Sequence, residues 1–160
     1  MIFTGTFENK VDAKGRVSIP AAFRALIQAS KSRELALFPS FRFSCLEGMS
    51  FDLLSALARQ GSKVSLFAKG KANPYSILFR STHRLNIDDA GRITLPDSFI
   101  ERAGLNKTAV FTGEGHAFQI WSPEAQAQQA ADDMAALEAS GDLDALEADF
   151  AAAAAEVMDL

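Results

Sequence analysis

The sequence predicts an α+β protein, mainly β, built from two small related halves and closed by a helical tail. Three observations predict it. The segment Val11–Phe23 recurs, shifted by 76 positions, as Ile87–Phe99. Short β-branched runs with turn residues between them surround both copies. Beyond residue 122 the chain turns Ala- and acid-rich, with apolar residues at helical spacing.

Within the repeat, five pairs are identical: Asp12/Asp88, Gly15/Gly91, Arg16/Arg92, Pro20/Pro96 and Phe23/Phe99. Four more are close exchanges: Val11/Ile87, Val17/Ile93, Ser18/Thr94 and Ile19/Leu95. Two units make a duplicated domain, not a solenoid. Each unit opens on a short strand, Thr6–Val11 or Arg84–Ile87. Asp-x-x-Gly supplies turn chemistry, because Asp bonds the backbone two residues on and Gly tolerates positive φ. The alternating Arg-Val-Ser-Ile or Arg-Ile-Thr-Leu reads as a second strand. The proline suits the first turn of a helix, expected over Ala21–Gln28 and Asp97–Ala103. Gly104 is placed to end the second helix.

The remaining segments are read the same way. Leu35–Phe38 and Arg42–Leu46 predict a hairpin around Pro39-Ser40. Ser50–Arg59 predicts a helix stopped by Gly61. Ser62–Phe67 and Ser76–Arg80 suggest strands, with Lys69–Pro74 as an exposed linker. Ala109–Thr112 and Ala117–Trp121 predict a second hairpin around Gly113-Glu114-Gly115-His116. Ser122, Pro123 and Glu124 form a helix start, and that helix should break at Ser140-Gly141. Asp142 would cap a last helix carrying Leu143, Leu146, Phe150 and Val157 on one face, as a helical hairpin that folds back or packs on a neighbour. The expected domains are residues 1–72, 73–122 and 123–160.

The net charge of −4 conceals a division. All sixteen Lys and Arg precede residue 123 and share that region with ten acids, a net of +6; residues 123–160 carry ten acids and no Lys or Arg. A basic body with an acidic tail points towards nucleic acid, although an acidic tail also serves solubility. A lone cysteine, Cys45, precludes an intrachain disulfide and fits a reducing compartment. The N-terminus lacks the pattern of a signal peptide, and no apolar run is long enough to span a membrane. A cytoplasmic, nucleoid-associated protein is expected.

The duplicated Asp-x-x-Gly-Arg carries the chemistry. It sets a guanidinium just after a tight turn, at the start of a strand. The Asp four residues earlier can pair with it or hold the turn. An arginine so held can contact phosphate or present a rigid fork to guanine. For a single copy, a structural ion pair in a hairpin is the simpler reading; the duplication weakens that reading without removing it. Lys10, Lys14 and Arg24 would add positive charge around the first copy, and Arg84 and Arg102 around the second.

These motifs resemble the MraZ family. Phe3-Thr4-Gly5 followed by Val11–Arg24, then Ile87–Pro96, then Phe118–Glu124, are similar to that family's two motifs and its second hairpin. The resemblance covers about residues 1–125. It implies two pseudo-symmetric AbrB-like, swapped-hairpin β-barrel halves in one chain. It also implies a ring-shaped homo-oligomer that binds double-stranded DNA at direct repeats upstream of the division and cell-wall gene cluster. In that family the Asp-x-x-x-Arg pairs face the DNA; carried over by position, these are Asp12 and Arg16, with Asp88 and Arg92. Lys14, Gly15 and Gly91 of the same turns complete the expected DNA-binding set. Ala90 replaces the lysine of the first copy, and Asp89 adds an acid. The first turn is therefore expected to be the stronger contact.

Other chemistries have little support. Cys45 reads as a buried structural thiol, and Phe51, Phe67, Phe79, Phe111, Phe118 and Trp121 as core. His83 and His116 lack metal-ligand spacing. There is no phosphate-binding loop, nucleophile elbow or catalytic constellation. No enzyme activity, cofactor, metal, small-molecule substrate or membrane partner is expected. The competing expectation is an AbrB-like protein-interaction or antitoxin-type module that grips a protein partner with its tail helices.

Overall fold

The repeat folds as its local chemistry dictates, and the segments between the two copies decide how they meet. The computed structural model describes residues 2–61 and 73–159. The first half contains β1 (Thr6–Lys10), β2 (Arg16–Ser18), α1 (Ala21–Ala29), β3 (Glu34–Pro39), β4 (Leu46–Ser50) and α2 (Phe51–Gly61). After it come α3 (Pro74–Ser81), β5 (His83–Asn86), β6 (Arg92–Thr94), α4 (Asp97–Arg102), β7 (Thr108–Gly113) and β8 (Phe118–Trp121). The chain ends in α5 (Pro123–Ser140) and α6 (Leu143–Met158). Two compact units result, Met1–Ala125 and Gln126–Leu160.

The first unit is α+β with antiparallel sheets. Six strands hydrogen-bond in the order β1-β7-β8-β4-β3-β5, while β2 and β6 pair by themselves as a short ribbon. The repeats interleave. β1 lies on β7 with Thr6 opposite Thr112, β5 lies on β3 with Asn86 opposite Glu34, and β4 meets β8 with Gly48 opposite Phe118. The expected barrel halves are thus replaced by an open sheet and a ribbon. Each ribbon strand has only three residues and one partner, too little for a closed barrel among the described residues.

The sheet is covered on both faces, and β3 shows why its sequence is apolar throughout. Leu35 and Leu37 enter one buried cluster with Val17, Ile19, Phe23, Ile93, Leu95 and Phe99. Alternate residues Ala36 and Phe38 enter another with Met49, Leu54 and Leu78. A strand whose two faces are both buried loses its polar alternation. Phe23, fully buried, is the hub of the larger cluster. Its ring centroid lies 5.2 Å from Phe3, 5.5 Å from Phe7 and 5.4 Å from Phe118. Gly48 leaves room for the Phe118 ring, since a β-carbon there would stand 2.6 Å from Cε2.

Three segments depart from expectation. Residues 76–80 form a helix, α3, and not a strand. Asn73 caps it by accepting from the N–H groups of Tyr75 and Ser76, and Pro74 sits in the first turn. That start signal outweighs the apolar run that suggested β structure. β4 begins at Leu46, not Arg42, because the Ser40 hydroxyl accepts from the N–H groups of Arg42 and Phe43 and holds them in a loop. Phe79 is 41% exposed rather than core. The expected strand at Ser62–Phe67, with Phe67 in it, and linker residues 69–72 lie outside the described residues.

In the tail, the Ser122 hydroxyl accepts from the N–H of Ala125, 3.2 Å away, and starts α5 as its sequence indicates. Gly141 breaks the helix at φ +72°. Asp142 makes no capping bond, because its backbone is already helical at φ −66°, ψ −8° and a capping residue needs extended backbone. Leu143, Leu146, Phe150 and Val157 are all exposed. No helix among the described residues is long and apolar enough to cross a membrane.

Candidate nucleic-acid interface

The two Asp-x-x-Gly-Arg turns have the same internal structure. In the first, the Asp12 carboxylate accepts through Oδ1 from the N–H groups of Lys14 and Arg16, both at 2.9 Å. Its Oδ2 takes the Arg16 Nε–H at 2.7 Å. The Gly15 N–H donates to the Asp12 carbonyl, and the Asp12 N–H donates to the Arg16 carbonyl. In the second, Asp88 Oδ1 accepts from the N–H groups of Ala90 and Arg92, both at 2.9 Å, and Oδ2 from Arg92 Nε at 3.2 Å. Gly15 and Gly91 both stand at φ +79°, a left-handed conformation that costs an L-residue about 1 kcal/mol or more. The motif needs its glycine for that reason.

Each aspartate therefore has two jobs. It ties the turn, and it takes one edge of the arginine through Nε. The Nη groups of Arg16 and Arg92 have no hydrogen-bond partner among the described residues. About a third of each arginine side chain is exposed, 34% for Arg16 and 35% for Arg92. The guanidinium is aimed but not consumed, which suits a fork presented to phosphate or guanine.

The ribbon places the two turns together. Arg16 lies opposite Thr94, Val17 opposite Ile93, and Ser18 opposite Arg92. Val17 and Ile93 are buried, so the alternation turns Arg16, Ser18, Arg92 and Thr94 to the other face. The two arginines are diagonal neighbours, roughly 7–8 Å apart by strand geometry. The exposed hydroxyls of Ser18 and Thr94 lie between them and were not singled out from sequence; their period-two offset from each arginine was the available signal. Each turn is also held by the other repeat: the Ile19 N–H donates to the Gly91 carbonyl at 3.0 Å, and the Leu95 N–H to the Gly15 carbonyl at 2.8 Å.

The Arg16 N–H donating to Asp12, followed among stabilising contacts by the Arg16 side chain, holds the Asp12 carboxyl below its ordinary value of 3.8. Asp88 is lowered likewise, first by the Arg92 N–H. A lowered carboxyl stabilises the fold above its unfolded value, and that contribution is lost as pH falls through the folded value. Both turns should hold at pH 5 and loosen only below about pH 4. A carboxyl carbon NMR titration checks this; midpoints at or above 3.8 for Asp12 and Asp88 would contradict it.

The surrounding cations are not arranged as sequence proximity suggests. Arg84 does not serve the second turn. Its Nε and Nη2 hold the Glu34 carboxylate, and its guanidinium lies 3.8 Å over the Phe51 ring. Arg24 belongs by sequence with the first turn, but its side chain packs against Gly91 of the second. Lys10, Lys14 and Arg102 are exposed. Cys45 is buried, and burial pushes its thiol up to about 12, so no thiolate nucleophile forms at neutral pH. His83 stacks edge-on against Phe99. No cluster of three metal-ligating side chains occurs among the described residues.

Among the comparisons with known proteins, the family match divides between the two repeats. A family model described as "MraZ protein, putative antitoxin-like" matches residues 2–70 and again 78–145. The chain is 41% identical over 128 residues to the transcriptional regulator MraZ of Rhodospirillum rubrum, an alignment covering 77% of this chain and 81% of that protein. With the protein of the same name from Gluconacetobacter diazotrophicus it shares 35% identity, over 82% of this chain and 85% of the relative. With that of Gluconobacter oxydans it shares 37%, over 80% of each. Each of the two matches contains one Asp/Arg turn, and the pair of turns meets on one ribbon; the chain belongs to the MraZ family.

Proposed function

We propose that this protein is a sequence-specific, DNA-binding transcriptional regulator and not an enzyme. It acts as a cytoplasmic, nucleoid-associated homo-oligomer, in a ring, on direct repeats upstream of its own division and cell-wall gene cluster. The observation that carries the reading is the exposed ribbon face with two arginines, each steered by its own aspartate and each with free Nη groups. A two-stranded ribbon is a size that the roughly 12 Å major groove admits. Asp12, Lys14, Gly15 and Arg16, with Asp88, Gly91 and Arg92, form the DNA-binding set. Residues 1–72 and 73–122 act as two pseudo-symmetric swapped-hairpin halves, a reading supported by the pairing of β1 with β7 and β5 with β3.

Arg16→Ala and Arg92→Ala should each weaken binding to the upstream duplex by roughly tenfold or more, the range of one lost bidentate contact. Gel shifts measure this, with size-exclusion light scattering to show that the oligomer survives. Unchanged binding by both variants would sink the site assignment. If the DNA upstream of the gene lacks short, regularly spaced direct repeats, self-regulation falls.

A second reading concerns residues 123–160. The exposed Leu143, Leu146, Phe150 and Val157 on acidic α6 favour a protein-binding role for the tail. Truncation after residue 125 separates the two: DNA binding should persist, and capture of a protein partner should be lost.

A further inference from the structure

We infer that Arg24 is the phosphate-contacting cation of the second turn, supplied by the first repeat in place of the lysine that the second turn lacks. The inference rests on the DNA-binding reading above and extends it to a residue outside both turns.

The repeat aligns Lys14 with Ala90, and Arg24 with Ile100. Counted along the chain, both extra cations belong to the first repeat. The fold separates them. The helix of each repeat covers the turn of the other, just as each turn's glycine carbonyl accepts from the other repeat's strand. At Gly15 the covering side chain is Ile100, whose Cδ1 would stand 3.1 Å from an added β-carbon. At Gly91 it is Arg24. A β-carbon there would meet Nη1 head-on and lie 2.9 Å from Cζ and 3.2 Å from Cδ. The guanidinium therefore rests on the bare backbone of the second turn, and the absence of a side chain at 91 is what admits it.

Arg24 is only partly exposed, yet its guanidinium has no hydrogen-bond or ion-pair partner among the described residues. The Asp88 carboxylate, which lines the same cleft, is already occupied by Ala90 and Arg92. Asp89 lines the same cleft without forming an ion pair with it. That cleft is open and polar, about 380 Å³ in volume, with Gln28 on the α1 side. A partly buried guanidinium that shares its cleft with Asp88 and Asp89 yet forms a salt bridge with neither among the described residues keeps its fork available to an added anion. Under the DNA-binding reading, an anion beside the second turn is backbone phosphate, which arginine binds as a planar fork. Each turn then has one aspartate-steered arginine and one further cation: Lys14 from within the first, Arg24 from across the fold for the second.

The test is fluorescence anisotropy of the full chain on two labelled duplexes of equal length. One carries the DNA immediately upstream of the gene, and the other is scrambled. Phosphate contacts carry no sequence information. Arg24→Gln should therefore weaken both complexes similarly, on the order of tenfold, and make the plot of log affinity against log salt shallower by about 0.9 for each bound protomer. Arg24→Met retains the packing of the stem and should show the same loss; urea melts confirm that each variant is folded. Adding Ala90→Lys to Arg24→Gln should restore most of the affinity, whereas Ser76→Lys on α3, outside the cleft, should not. Wild-type affinity and slope in Arg24→Met and Arg24→Gln, while Arg16→Ala fails to bind, would overturn the role of Arg24 alone. Equal rescue by Ser76→Lys would overturn it in favour of bulk charge. Unchanged binding by Arg16→Ala and Arg92→Ala would instead remove the DNA-binding face, and this inference with it.

Discussion

Replacing Phe23 with alanine should destabilise the first unit by about 3–5 kcal/mol, the usual range for emptying a buried phenylalanine site. Phe23 is fully buried and touches rings from three other parts of the chain: Phe3 and Phe7 near the N-terminus, Phe111 in β7 and Phe118 in β8. Several of these meetings are edge-on or tilted, a geometry that adds roughly 0.5–1.5 kcal/mol per pair beyond burial. The cavity would not close readily, because β7 and β8 are hydrogen-bonded to each other and to further strands. A natural domain is held by only about 5–15 kcal/mol, so the loss would remove a large share of its margin. Guanidinium unfolding should show a lower midpoint with little change in slope. A loss below about 1 kcal/mol would mean that Phe23 is not the hub. DNA binding should fail with stability in this variant and recover on cooling, unlike Arg16→Ala, which should fail while folded.

Cutting the chain between its repeats should abolish the fold of each half as a monomer. Residues 1–72 by themselves retain the β3–β4 pair but lose β7 from β1, β6 from β2, β8 from β4 and β5 from β3. Residues 73–125 retain only β7 with β8. A lone two-stranded hairpin is marginal in water at best. The halves would also lose the reciprocal bonds from Ile19 to Gly91 and from Leu95 to Gly15 that hold each turn. Each fragment should therefore give a disordered far-ultraviolet circular dichroism spectrum or exist only as a dimer. An equimolar mixture should recover the native spectrum and a cooperative melt. A monomeric half with a cooperative melt of its own would refute interdependence.

Much of the candidate site was legible because it is local. Asp bonding the N–H two residues on, Gly at positive φ and a β-branched residue after Arg are chemistry confined to five or six residues, and Asp12–Val17 and Asp88–Ile93 fold accordingly. Ser122 at the start of α5 and Gly104 at the end of α4 are equally local. Failures arose where two local signals competed. At Ser76–Arg80 the apolar run suggested a strand, but the Asn73-Pro74 start won and made α3. At Arg42 the β pattern lost to the hydroxyl of Ser40. Asp142 looked like a cap by type, and a helical backbone at that residue prevented it.

By itself, the sequence determined the two Asp/Arg turns, their glycines, the short strands and helices beside them, and the division between a basic body and an acidic tail. These depend on contacts within a turn or on charge counts, and both can be read along the chain. Only the tertiary structure decided what the turns are next to. The pairing of β2 with β6 sets Arg16 and Arg92 on one face, and Val17 and Ile93 beneath it, because antiparallel register joins residues 74 to 78 apart. The same crossing captures Arg84 on Glu34 and Phe51, and carries Arg24 from the neighbourhood of the first turn to Gly91 of the second. Hydrophobic patterning tells a strand which face to bury, but not which distant strand will cover it. Which cation serves which turn therefore followed from the packing of one repeat on the other.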